Sequence, residues 1–175
     1  FGGIGTVSAD GKVASIPYDT LENTVKSSKC VRFMSNGEIW VATQGDGAYV
    51  RRNDGTWEKI TFKINADLTD KWIEDIEEAS DGSKWLVSPF NVWHCDSVKM
   101  RMSSLKGKEE ASDPCILIDG ACDEDGNLYV ASICGVQLVS RETGEQKVLD
   151  FLPVASYFSV CFDKQGFLWC DGTAG

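Results

Sequence analysis

Residues 36–43 read NGEIWVAT, and the phrase returns three times: DGSKWLVS at 81–88, DGNLYVAS at 125–132 and QGFLWCDG at 165–172. Each copy opens on a polar residue and a glycine and carries an aromatic residue in fifth place. The polar-Gly pair suits a tight turn, because glycine reaches positive φ without steric cost. The apolar alternation behind it suits a strand. The glycines Gly37, Gly82, Gly126 and Gly166 lie 45, 44 and 40 residues apart. A period in that range, with a turn feeding an aromatic-bearing strand, specifies one four-stranded sheet per repeat. The expected fold is therefore all-β: a β-propeller of four-stranded antiparallel blades.

Outward from the first copy, strands are expected at 29–34, 38–43, 48–52 and 56–62, with turns at Asn36-Gly37 and Asn53-Asp54-Gly55 and a Gly-rich connection at 44–47. The second repeat gives 72–79, 84–88, 92–96 and 99–103. The third gives 116–122, 128–132, 136–140 and 146–149. The fourth supplies 157–163 and 167–171 only. Residues 3–9 align with 47–53, and Gly11 with Gly55, so the chain opens on the third and fourth strands of an earlier repeat. The reading is one propeller segment over 1–175, with three complete blades and two complementary half-blades (parts about 1–26, 27–63, 72–105, 114–150 and 157–175). The halves would complete one blade within a chain, giving four blades, or between two chains, giving eight and a homodimer through edge strands. A larger propeller is preferred, since unpaired edges invite further pairing. Asp67, Thr69 and Asp70 would suit the start of a helical turn into 71–78, yet Ile73 and Ile76 read as inner-strand residues by position.

The net charge of −10 argues against nucleic acid and against anionic membrane surfaces as partners. No apolar run approaches the length of a membrane-spanning helix. The chain begins at Phe1 without a leader pattern, so an origin within a longer protein is expected. None of the seven cysteines forms a CxxC pair, and His94 and Cys95, adjacent on a strand, face opposite ways. No metal or cofactor is expected. Cys161 and Cys170 read as small core residues, and no spacing demands a disulfide.

Residues 36–55, NGEIWVATQGDGAYVRRNDG, and the closing FLWCDGTAG resemble the two-component regulator propeller repeat. The copies DGSKWLVSPFNVW and DGNLYVASICGVQL fit less well, because the Thr and the Gly pair are partly lost. That family builds the periplasmic sensor region of hybrid histidine kinases, best known from Bacteroidetes. The resemblance implies a ligand-sensing segment without catalysis of its own. It also implies a position on the periplasmic or extracellular side of a membrane-anchored parent, and glycan fragments as the ligand.

Trp40, Trp85 and Trp169 share one repeat position with Tyr129, so they read as packing between blades. Trp57, Trp72 and Trp93 fall outside it, and Trp93, beside His94, is the best ligand-facing candidate. His94, the single histidine, reads as structural. The run Asp123-Glu124-Asp125-Gly126 fails the EF-hand spacing and reads as a hairpin turn. Glu74, Asp75, Glu77, Glu78 and Asp81 read as a solvated acidic face. A ligand, whether small molecule or oligosaccharide, is expected over one end of the channel. The loops there carry Gln44, Asp46, Phe90, Asn91 and Ile133, with Asp67, Asp70, Ser112 and Asp113. Two other classes stay open: a scaffold that binds a peptide or protein, and a metal-dependent lyase or lactonase built on clustered carboxylates.

Overall fold

The computed structural model describes residues 4–15, 27–64, 69–96, 100–104 and 115–173. Asp67, Ser112 and Asp113 lie outside the described residues. All the elements named below are β-strands. An entry ribbon pairs β1 (Gly5–Val7) with β2 (Val13–Ser15). Sheet A follows, ordered β3 (Ser28–Phe33), β4 (Ile39–Thr43), β5 (Ala48–Arg51) and β6 (Trp57–Ile60). A short ribbon of β7 (Phe62–Lys63) and β8 (Thr69–Asp70) leads to sheet B: β9 (Asp75–Glu78), β10 (Lys84–Val87), β11 (Asn91–Cys95) and β12 (Met100–Ser104). Sheet C contains β13 (Leu117–Cys122), β14 (Leu128–Ser132), β15 (Gly135–Val139) and β16 (Gln146–Val148). An exit ribbon pairs β17 (Tyr157–Phe162) with β18 (Leu168–Gly172). Every pairing is antiparallel between neighbours in sequence. Strand, not a helical turn, occupies 69–70 and 75–78, and Ile73 and Ile76 are fully buried.

The repeated glycines explain the hairpins. Gly37, Gly82, Gly126 and Gly166 sit at φ of +88°, +81°, +81° and +83°, a region that side-chain-bearing residues rarely enter. At Gly37 a Cβ would also lie 2.7 Å from Oδ1 of Asn53. At the other end of each second strand a buried hydroxyl closes the turn. Thr43, Ser88 and Ser132 accept the backbone N–H of Asp46, Asn91 and Cys134 at 3.1–3.2 Å.

The sheets stack side by side, β3 beside β9, β9 beside β13 and β13 beside β17. First strands therefore line one common inner side, as in a propeller. Apolar side chains fill the layers between sheets. Met34, Trp40, Val50 and Phe62 of the sheet A region meet Ile73, Ile76, Leu86 and Trp93. Trp85, Val87 and Val92 of sheet B meet Leu117, Leu128 and Val130 of sheet C. Ala131, Val136 and Leu149 meet Tyr157 and Val160 of the exit ribbon. Ile4 packs on Val41 and Tyr49.

Candidate functional site

Two polar regions recur from sheet to sheet. One lies along the inner strands, the other beneath the loops that join second to third strands.

On the inner strands one repeat position holds Cys30, Asp75, Asp119 and Ser159, spaced 45, 44 and 40 like the glycines. A register shift falls immediately before Cys30, Asp119 and Ser159, and such bulges re-aim side chains. The result links successive sheets. Asp75 receives Nη2 of Arg32 at 2.7 Å and the backbone N–H of Gly120 at 3.3 Å. Asp119 receives the Ser159 hydroxyl at 2.8 Å and the backbone N–H of Val160 at 2.9 Å. Arg32 also donates to Glu77 at 3.3 Å and to the carbonyl of Ile76 at 3.0 Å. Lys29 pairs with Glu74 at 3.0 Å.

The acidic run is thus not a uniformly solvated face. Asp75 is 3% exposed, and burial raises its carboxyl to about 6 despite Arg32. Burial, reinforced by Asp75, raises Glu77 to about 7. Strand alternation turns these two inward between sheets, where Arg32 meets them.

Beneath the loops, one repeat position on the third strands, Tyr49, Trp93 and Gln137, belongs to a polar nest in each sheet. In sheet A, Tyr49 and Lys59 both donate to Asp46. In sheet B, Oδ2 of Asp70 gathers the Ser88 hydroxyl, the Asn91 amide at 3.2 Å and the Trp93 indole N–H at 3.2 Å. In sheet C, the buried Gln137 amide lies 3.3 Å from Ser132 Oγ and 3.4 Å from Cys115 Sγ. Cys115 and Cys134 form a disulfide across the same turn.

The structure therefore brings Asp70, Asn91 and Trp93 together. Trp93 is buried, its ring tilted against Phe62 at 5.4 Å between centroids. It supports the nest from below. Gln44 is exposed, Asp46 half-buried, and Phe90 and Ile133 are exposed at the loop tips. Trp72 is the surface aromatic that the sequence reading passed over. It is 45% exposed and bridges Gln44 backbone to backbone. Its departure from the repeat position was the available signal. The N–H groups of Gly45 and Gly47 both reach the carbonyl of Lys71, at 2.8 and 2.7 Å, so Trp72 is held by a fixed loop.

Three half-buried cysteines are far from thiolate character. Burial pushes the Cys30 and Cys95 thiols up to about 12 and raises Cys122 further, which keeps them protonated and unreactive. Among the described residues no three His, Cys, Asp or Glu side chains are placed to hold a metal ion.

No family model matches the chain, and no curated protein matches it. Solved structures do. Virginiamycin B lyase from Staphylococcus aureus superposes with a TM-score of 0.76 at 16% identity, over 97% of this chain and 56% of the lyase. The extracellular domain of a hybrid two-component system from B. thetaiotaomicron superposes at 0.71 with 19% identity, over 94% of this chain and 23% of that domain. A gluconolactonase from Xanthomonas campestris gives 0.65 and 12%, over 98% of this chain and 62% of the enzyme. The chain thus spans about half the length of the lyase and a quarter of the sensor domain. At these identities the likeness is one of fold: sheets stacked as in a propeller, shared by extracellular sensor domains and by enzymes.

Proposed function

We propose that this chain is a ligand-sensing propeller segment on the extracytoplasmic side of a two-component signalling protein. It binds an oligosaccharide over its loop face and does not turn it over. The observation that carries the reading is the composition of that face. Exposed rings of Trp72 and Phe90 stand beside the polar groups of Gln44, Asp46, Asp70 and Asn91. Aromatic faces for stacking, with carboxylates and amides for hydroxyl groups, are what a sugar needs from a site. The nests beneath, including buried Trp93, fix those groups before a ligand arrives, which lowers the entropic cost of binding. The Cys115–Cys134 disulfide suits an oxidising compartment. Likeness to extracellular sensor domains favours the signalling assignment. Binding would bias the parent's conformational equilibrium through a difference in affinity between its states. In this reading three full blades and two half-blades form part of a larger ring, and unpaired edge strands are where a homodimer would form.

The test is calorimetric titration of the intact extracytoplasmic region with a panel of oligosaccharides. The expected result is saturable binding that Trp72→Ala abolishes. Absence of binding across the panel, or binding indifferent to Trp72, overturns the reading. A second reading, a metal-dependent lyase or lactonase, is favoured by likeness to the two enzymes. Turnover that depends on added divalent metal would establish it.

A further inference from the structure

A cleft of about 750 Å³ opens between sheets B and C on the hairpin face, at the opposite strand ends from the loop face. His94 forms its floor. The position that is Val50 opposite Trp40 and Leu138 opposite Tyr129 is His94 opposite Trp85. A repeat that places an aliphatic residue in two sheets places a buried imidazole, 4% exposed, in the third. A buried polar ring must find hydrogen-bond partners that a hydrocarbon does not need, and such departures from a repeat concentrate at functional sites.

The imidazole belongs to a directed hydrogen-bond chain. Arg101 donates to Nδ1 at 3.1 Å; a guanidinium cannot accept, so the neutral ring carries its proton on Nε2. That N–H donates to Ser83 Oγ at 3.0 Å, and Ser83 donates to Asp81 at 2.7 Å. Arg141, reaching across from sheet C, closes on the other oxygen of Asp81. The chain fixes Arg101 on one wall and neutralises Arg141 against Asp81. Asp125 and Glu142 line the opposite wall. Both are exposed and have no hydrogen-bonding or ion-pair partner for their side chains among the described residues. Asp96 borders the Arg101 side, and Asn127 and Ser140 complete the lining.

The charge on the walls selects the ligand. A purely anionic molecule would meet the carboxylates, and a purely cationic one would meet Arg101. The buried rings of Trp85 and His94 offer no face on which a sugar could stack. We propose that the cleft binds a small zwitterion of the free amino-acid class. Its carboxylate is held by Arg101 and its ammonium by Asp125 and Glu142. His94 is the positioning residue that aims the guanidinium. This site is independent of whatever the loop face binds.

Because the chain holds one histidine, His94 gives a single imidazole Cε1–H resonance. That resonance is followed by NMR while glycine, lysine, succinate and glucose are each titrated into the full chain. The expected result is a saturable shift with glycine and lysine and none with succinate or glucose. Arg101→Gln, at an exposed position, weakens glycine binding by about tenfold or more, the worth of one charge-assisted hydrogen bond. Glu142→Gln weakens it less and leaves the starting His94 resonance in place. A resonance that no zwitterion moves, one that moves with succinate or glucose instead, or glycine affinity unchanged in both variants overturns the proposal.

Discussion

Trp85 and Trp169 occupy the same place in the repeat and lead opposite lives. Trp85 is 1% exposed. Its ring lies 4.3 Å from that of His94, and its indole N–H donates to the carbonyl of Gly126 in the next sheet at 3.0 Å. Trp169 is 63% exposed, and its N–H turns back at 2.8 Å to Asp163 in its own hairpin. The repeat specifies the residue and its side of the strand. What buries it is the third strand beside it and the sheet that follows. An indole in this register is an adhesive surface whose worth depends on a neighbour.

The largest expected effect tests that statement. Trp85→Ala removes a fully enclosed ring and should cost about 3–5 kcal/mol, the usual range for emptying such a site. In the 175-residue chain, Trp169→Ala should stay within about 1 kcal/mol, as surface changes do. Urea unfolding of the two variants against the parent measures both. Equal costs would mean that the hairpin, not the adjoining sheet, sets the value of this position.

Next comes the polar link between sheets A and B. Arg32→Met strips the guanidinium from Asp75 and Glu77 together. Breaking a buried pair costs about 3–5 kcal/mol, but Arg32 is partly solvated and both acids can take up a proton. A loss of about 2 kcal/mol at pH 8, shrinking by pH 5, is expected after that discount. A loss that is the same at both pH values would show that the two carboxylates stay charged in the variant.

The parent should show its own pH dependence with a definite sign. Burial raises Glu77 to about 7 and Asp75 to about 6, above their unfolded values near 4. A raised carboxyl favours folding while it is protonated. That contribution is complete below the unfolded value and is lost as pH climbs through the folded one. Melting temperature should therefore fall between pH 5 and pH 8, by the equivalent of about 1–2 kcal/mol allowing for solvent screening. Glu77→Gln should flatten most of the slope. A parent that gains stability across that window contradicts the burial argument.

These features divide by how far their causes lie apart in sequence. The hairpins were legible because Gly37, Gly82, Gly126 and Gly166 act within four residues. Strand assignments agreed with the structure because alternation is local too; most boundaries moved by a residue or so, but the strand expected at 72–79 spans only Asp75–Glu78, and strand three of sheet C begins at Gly135 where Val136 was expected. The inner column was not legible. Asp75 meets Arg32 and Gly120, residues 43 and 45 places away, and from the sequence it was one more acid in an acidic run. Superposing the repeats would have placed Asp75 and Asp119 at one position, the single signal available. The cleft at His94 was hidden for a similar reason. Its meaning lies in the cross-strand comparison with Val50 and Leu138, which requires the pairing register. The loop face was legible as a place, through Gln44, Asp46, Phe90, Asn91 and Asp70. Which aromatic faces solvent there was not, because exposure of Trp72 and burial of Trp93 depend on Phe62 and on the fixed loop at Lys71.

The smallest effect separates those two tryptophans. Trp93→Phe keeps most of the ring against Phe62 and deletes the N–H that reaches Asp70. It should cost about 1 kcal/mol, the net value of one hydrogen bond. Asp70 retains Ser88 and Asn91, so the nest should stay assembled, and oligosaccharide binding on the loop face should keep its affinity within about twofold, well under the tenfold that 1.4 kcal/mol represents. Trp72→Ala should do the reverse, leaving stability nearly unchanged and removing binding. If Trp93→Phe abolishes binding while the fold holds, the indole is a ligand group reached by an opening of the loop. The distinction between a supporting ring beneath the face and a working ring upon it then fails.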